Sequence, residues 1–82
     1  MRGLTMSQVA QAAQVIPETV RYYERRGLIA PPPRTGAGYR MFPPEAVEEI
    51  RFIKQAQLLG FTLQEIKVLL GMYRGEPVLS PD

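Results

Sequence analysis

The chain has 82 residues, 45% of them hydrophobic, with ten lysines and arginines against eight aspartates and glutamates. That length fills one hydrophobic core rather than two, so a single globular domain with a thin stability margin is expected. Cysteine and histidine are both absent, which removes disulfides, thiolate and imidazole metal ligands and the commonest general base, so no metal site, cofactor or catalytic group is expected.

The charge is unevenly placed. Residues 21–40 carry five arginines against Glu24, a net +4, whereas residues 41–50 carry Glu45, Glu48 and Glu49 and no cation. A basic stretch of this kind suits salt-dependent nucleic-acid binding, and it equally suits a solvated arginine-rich surface. Between Met1 and Val15 the apolar residues are interrupted by Gln8, Gln11 and Gln14. Neither a signal peptide nor a membrane span is expected there, and a cytoplasmic location is the default.

The first helix is expected near Ser7 to Ala13, where Val9, Ala10 and Ala13 form a narrow apolar stripe. Its start is open between Ser7 as N-cap and a Thr5–Gln8 capping box. After Gln14-Val15-Ile16, Pro17 suits a first helical position, and the second helix runs to about Arg26 before Gly27 as a left-handed stop. Glu18, Arg21, Tyr22 and Arg25 repeat at i, i+3, i+4 and i+7 and share one face, while Val20 and Tyr23 point elsewhere. Two short helices joined by three residues fit a helix-turn-helix and also an ordinary helical hairpin.

Leu28-Ile29-Ala30 and Tyr39-Arg40-Met41-Phe42 flank Pro31, Pro32, Pro33, Gly36 and Gly38. This punctuation predicts a small two-stranded wing with an irregular tip, since prolines donate no ladder hydrogen bonds. Pro44 and Glu45 open a third helix that buries Val47, Ile50, Ile53 and Ala56, with Ala46, Phe52 and Leu59 widening the arc, and Gly60 ends it. Thr62 and Glu65 have capping-box spacing and Phe61 is placed to staple onto Ile66. A fourth helix follows, burying Leu63, Ile66, Leu69 and Leu70, and the chain from Gly71 on, with Gly75, Pro77 and Pro81, is expected to fray. The fold class is mainly α: four helices plus a small two-stranded β wing, a winged helix-turn-helix.

Three strings, in order, resemble the N-terminal domain of the MerR family of bacterial transcription regulators. They are Thr19-Val20-Arg21-Tyr22-Tyr23-Glu24-Arg25-Arg26-Gly27-Leu28-Ile29, then Arg34 with Gly38-Tyr39-Arg40-Met41-Phe42, then Phe52-Ile53 leading to Leu59-Gly60-Phe61-Thr62-Leu63-Gln64-Glu65-Ile66. The resemblance implies a DNA-binding domain over residues 1–75, a flexible tail over 76–82, and a parent protein that continues into a dimerisation helix and an effector domain. It further implies, for the full-length family, a homodimer on double-stranded promoter DNA that distorts the operator, reaching RNA polymerase indirectly through the DNA, in a nucleoid-associated cytoplasmic setting; the chain of 82 residues by itself is expected to be a monomer or weak dimer. Gln14 stands where the family usually has glycine and Ile16 where a hydroxyl or carboxamide N-cap is common, each weakening the turn by up to ~1 kcal/mol.

On this reading the DNA-binding candidates are Glu18, Thr19, Arg21, Tyr22 and Arg25 on the second helix, with Arg34, Tyr39 and Arg40 in the wing. Arginine pairs well with guanine and with phosphate, Glu18 can accept from a cytosine amino group, and the Tyr22 hydroxyl can donate to phosphate. Glu18 equally serves as a helix-dipole carboxylate, and Arg25 as an ion-pair partner of Glu24 or Glu18 on a solvated helix. Tyr23 is read as core. The resemblance makes Arg40 a phosphate clamp. The N-terminus of the fourth helix is a further anion site to weigh, as are Arg51 and Lys54, which otherwise form the solvated side of their helix; the four methionines are read as packing. Two other readings stand beside transcription regulation: an excisionase-like architectural DNA-binding protein and a winged-helix protein-interaction adaptor.

Overall fold

The computed structural model describes residues 3–32 and 41–75. Four helices follow in order, α1 (Met6–Ala13), α2 (Pro17–Arg25), α3 (Glu45–Leu58) and α4 (Leu63–Tyr73). The longest, α3, packs against α1 and against α4, and α2 closes on α1. Val9, Val20, Leu28, Phe42, Ile50, Ile53, Ile66 and Leu70 are almost fully buried between these elements. Each such side chain contributes roughly 1.5–3 kcal/mol relative to exposure.

Competing start signals for α1 resolve onto Thr5. Its hydroxyl accepts from the Gln8 N–H, and the Gln8 side chain accepts from the Thr5 N–H, a closed capping box. At the other end Gln14 adopts φ 61°, ψ 43°, and the Val15 N–H reaches back five residues to the Ala10 carbonyl at 2.9 Å. This is the Schellman stop usually given to glycine, built here with a residue that carries a Cβ. α2 closes with the same bond pattern, Leu28 N–H to the Tyr23 carbonyl at 2.9 Å, around Gly27 at φ 76°. There the sequence supplies the glycine that the geometry asks for.

The region expected to form the wing is partly described. Among the described residues there is no strand; Phe42 instead makes an isolated antiparallel bridge to Leu4, with hydrogen bonds of 2.7 and 2.8 Å. Gly3 permits this approach, since a Cβ there would lie 2.6 Å from Met41 Cβ. Leu28 and Ile29, expected as a strand, are both buried consecutively and so do not alternate between two faces as strand residues would. The tip of the expected wing, with Arg34, Tyr39 and Arg40, lies outside the described residues.

Several expectations about the second helical pair need correction. Leu59 does not widen the apolar face of α3, because it caps the C-terminus and is 68% exposed. Nor does the fourth helix stop at Gly71. It continues to Tyr73, whose ring stacks on Phe52 of α3 at 5.4 Å, and Arg74 beyond it donates to Glu49 Oε2 and to the Leu28 carbonyl, each at 2.9 Å. These tertiary contacts outweigh the ~1 kcal/mol helix penalty of one glycine. The Thr62–Glu65 capping box is formed at both bonds. Within α4, Ile66 and Leu70 are buried, whereas Leu63 and Leu69 are only partly so. Met6 packs partly buried against the core, but Met72 is 54% exposed, against the packing role expected of the methionines.

Candidate nucleic-acid interface

α2 divides its residues by the helical period. Val20 and Tyr23 turn into the core, and the Tyr23 hydroxyl donates to Gln57 Oε1 of α3 at 2.7 Å. Burial, and secondarily the neighbouring Tyr22, raises the Tyr23 pKa above its ordinary value of 10.0. These contacts fix the rotation of α2 about its axis, so the opposite face must look outward.

That outward face carries the four residues the sequence places on it. Arg21 Nη1 lies 3.2 Å from Glu18 Oε1 and Arg25 Nη1 lies 3.8 Å from Glu18 Oε2, with all three side chains more than half exposed. One carboxylate thus holds two guanidinium groups side by side. Ion pairs this exposed are worth at most about 1 kcal/mol each, so a phosphate can replace Glu18 with little loss. Both roles weighed for Glu18 and Arg25 in ion pairing are therefore present in the geometry.

Tyr22 is partly buried against the core, and two cations lie near its ring. The Arg25 Cζ lies 5.9 Å and the Arg26 Cζ 5.8 Å from the ring centroid, and Arg26 Nη1 donates to the Tyr22 hydroxyl oxygen at 3.2 Å. Arg26 was not among the residues singled out from the sequence, although its place four residues after Tyr22 is the signal that would have found it. Thr19, partly exposed, lines with Tyr22, Gln14, Ile16, Lys54 and Gln57 an open cleft of about 490 Å³ at the elbow between α1 and α2. The face as a whole is cationic and aromatic.

The elbow itself is pinned from α3. Arg51 Nη2 donates to the Ala12 carbonyl at 2.9 Å and Lys54 Nζ to the Gln14 carbonyl at 3.0 Å. α1 has no basic residue in its last turn, so these two cations from another helix meet the negative end of its dipole. They are not simply the solvated side of α3. At the N-terminus of α4 the Thr62 and Glu65 side chains already occupy backbone N–H groups, and Glu65 places a carboxylate where an anion would approach.

Among the described residues no group of three or more aspartates and glutamates is arranged to hold a metal, and no helix is long and apolar enough to cross a membrane. A short helix, a pinned three-residue elbow and a second helix with an outward cationic face define a helix-turn-helix domain of the nucleic-acid-binding kind. Residues 4–72 match the family described as MerR HTH family regulatory protein, and the chain belongs to that family. Its members are DNA-binding transcription regulators and not enzymes.

Among its relatives, the mercuric resistance operon regulatory protein of Bacillus cereus is 51% identical over 67 residues, which is 82% of this chain and 51% of that protein. The structure of the transcription regulator PbrR691 from Ralstonia metallidurans CH34 in complex with lead(II) superposes with a TM-score of 0.79 at 28% identity, over 92% of this chain and 59% of that one. HiNmlR, a MerR-family regulator lacking the sensor domain and bound to promoter DNA, shares the fold with a TM-score of 0.76 at 20% identity, over 90% of this chain and 56% of that one. The chain spans about half the length of the curated relatives it matches.

Proposed function

We propose that this chain is the module with which a transcription regulator reads its operator, with α2 entering the major groove and the segment around Arg34, Tyr39 and Arg40 flanking it on the phosphate backbone. The observation that carries the reading is the outward face of α2, where Glu18, Arg21 and Arg25 stand exposed beside the partly buried Tyr22 while Tyr23 and Val20 hold the helix from behind. A helix fits the major groove, and its N-terminal residues meet base edges. Glu18 and Thr19 occupy that end. Arg21 is placed to pair with guanine or phosphate, Tyr22 to donate to phosphate, and Arg25 to follow the backbone. Membership of the MerR family supports transcription regulation over an architectural or adaptor role. On the same reading the parent acts as a homodimer at promoter DNA, distorts the duplex, affects RNA polymerase through it, and works in the nucleoid-containing cytoplasm.

Binding of the full chain to duplex DNA by fluorescence anisotropy tests this reading. Arg21→Ala is expected to lower affinity about tenfold or more at constant salt, with unchanged helix content. Equal affinity of the two proteins across a salt titration would overturn it.

A further inference from the structure

Arg26 lies at the C-cap of α2, outside the set of residues assigned to DNA above, yet its geometry is the most preorganised on that face. Its guanidinium is held over the Tyr22 ring at 5.8 Å and donates one N–H to the phenol oxygen at 3.2 Å. Among the described residues no carboxylate lies within ion-pair distance of it. Arg21 and Arg25, by contrast, both face Glu18. An arriving phosphate must displace a carboxylate from those two and, among the described residues, none from Arg26.

The hydrogen bond also decides what Tyr22 can do. A phenol oxygen carries one proton and prefers it in the ring plane, so a donor arriving on one side leaves the O–H directed to the other. Arg26 therefore turns the Tyr22 hydroxyl into an outward donor, while four further N–H groups of the guanidinium remain for an acceptor. A neutral O–H and a cationic N–H fork at one locus form the donor set that fits a phosphodiester oxygen pair.

We propose that Arg26 and Tyr22 form one composite phosphate clamp at the C-terminal end of α2, with Arg26 as both a direct contact and the group that orients the phenol. This rests on the reading of α2 as the DNA-binding face. The clamp is independent of sequence, since it engages the backbone and no base edge. It sets how far the helix runs along the groove before the backbone is met.

The test uses the full chain and a mixed-sequence linear duplex, so that no operator need be known. Affinity is measured against salt for wild type, Arg26→Ala, Tyr22→Phe, the double variant and Arg21→Ala, with circular dichroism and thermal melting to establish equal folding. Arg26→Ala is expected to lose about tenfold at low salt and to flatten the slope of log affinity against log salt by about 0.9, the share of one phosphate. The double variant is expected to be no weaker than the weaker single variant, because either change dismantles the same clamp. Should Arg26→Ala keep wild-type affinity and slope while Arg21→Ala weakens binding, the clamp is wrong and the α2 reading stands. Additive losses would show two separate contacts and overturn the composite site. Absence of salt-dependent binding by wild type would overturn both.

Discussion

Gln14 and Tyr23 show how single residues set the helix-turn-helix. Gln14 holds the left-handed conformation that stops α1, at φ 61°. A side chain there costs about 1 kcal/mol that glycine does not incur. Gln14→Gly is expected to raise unfolding stability by roughly 0.5–1 kcal/mol in urea titrations, and a loss of stability would show that the Gln14 side chain is doing something the turn needs. Tyr23 makes the opposite kind of contribution. Its buried hydroxyl is bonded to Gln57 and its pKa is raised above 10.0 by burial and by Tyr22. A phenol with a raised folded-state pKa holds its proton more tightly when folded, so its stabilising contribution is complete below pH 10 and is lost as pH climbs through the folded-state value. Tyr23→Phe should cost about 1 kcal/mol at neutral pH and reduce the stability lost above pH 10, read by melting at a series of alkaline pH values.

The elements divide between those written in local sequence and those fixed by distant partners. α2 and the start of α4 were legible, because Pro17, Gly27, Thr62 and Glu65 are signals whose bonds are made within a few residues. The outward face of α2 was legible for the same reason, through spacing alone. What escaped depended on contacts across the chain. The end of α4 is set by Tyr73 on Phe52 and Arg74 on Glu49, and residue 42 pairs with Leu4 at the far N-terminus. Arg51 and Lys54 reach carbonyls 39 and 40 residues away, a role that no spacing rule reveals. Lys54→Met is expected to destabilise the domain by about 1 kcal/mol, since it removes the charged donor that Lys54 brings to the end of α1 while keeping an unbranched apolar stem. Chemical denaturation checks this, and an unchanged midpoint would mean that solvent replaces the lysine without loss.

At the scale of the molecule, one core serves two surfaces of different character. The face of α2 is cationic and aromatic, whereas Leu58 and Leu59 at the C-terminal end of α3 and Val68 and Met72 on α4 expose apolar side chains. The first matches the phosphate-lined groove of a duplex and the second does not. Titration of the isotope-labelled chain with duplex DNA, followed by amide chemical shifts, therefore addresses the central claim most directly. The account predicts that the largest changes fall on residues 18–26, with little change from Val68 to Tyr73. Changes concentrated on α4 while α2 stays silent would contradict it.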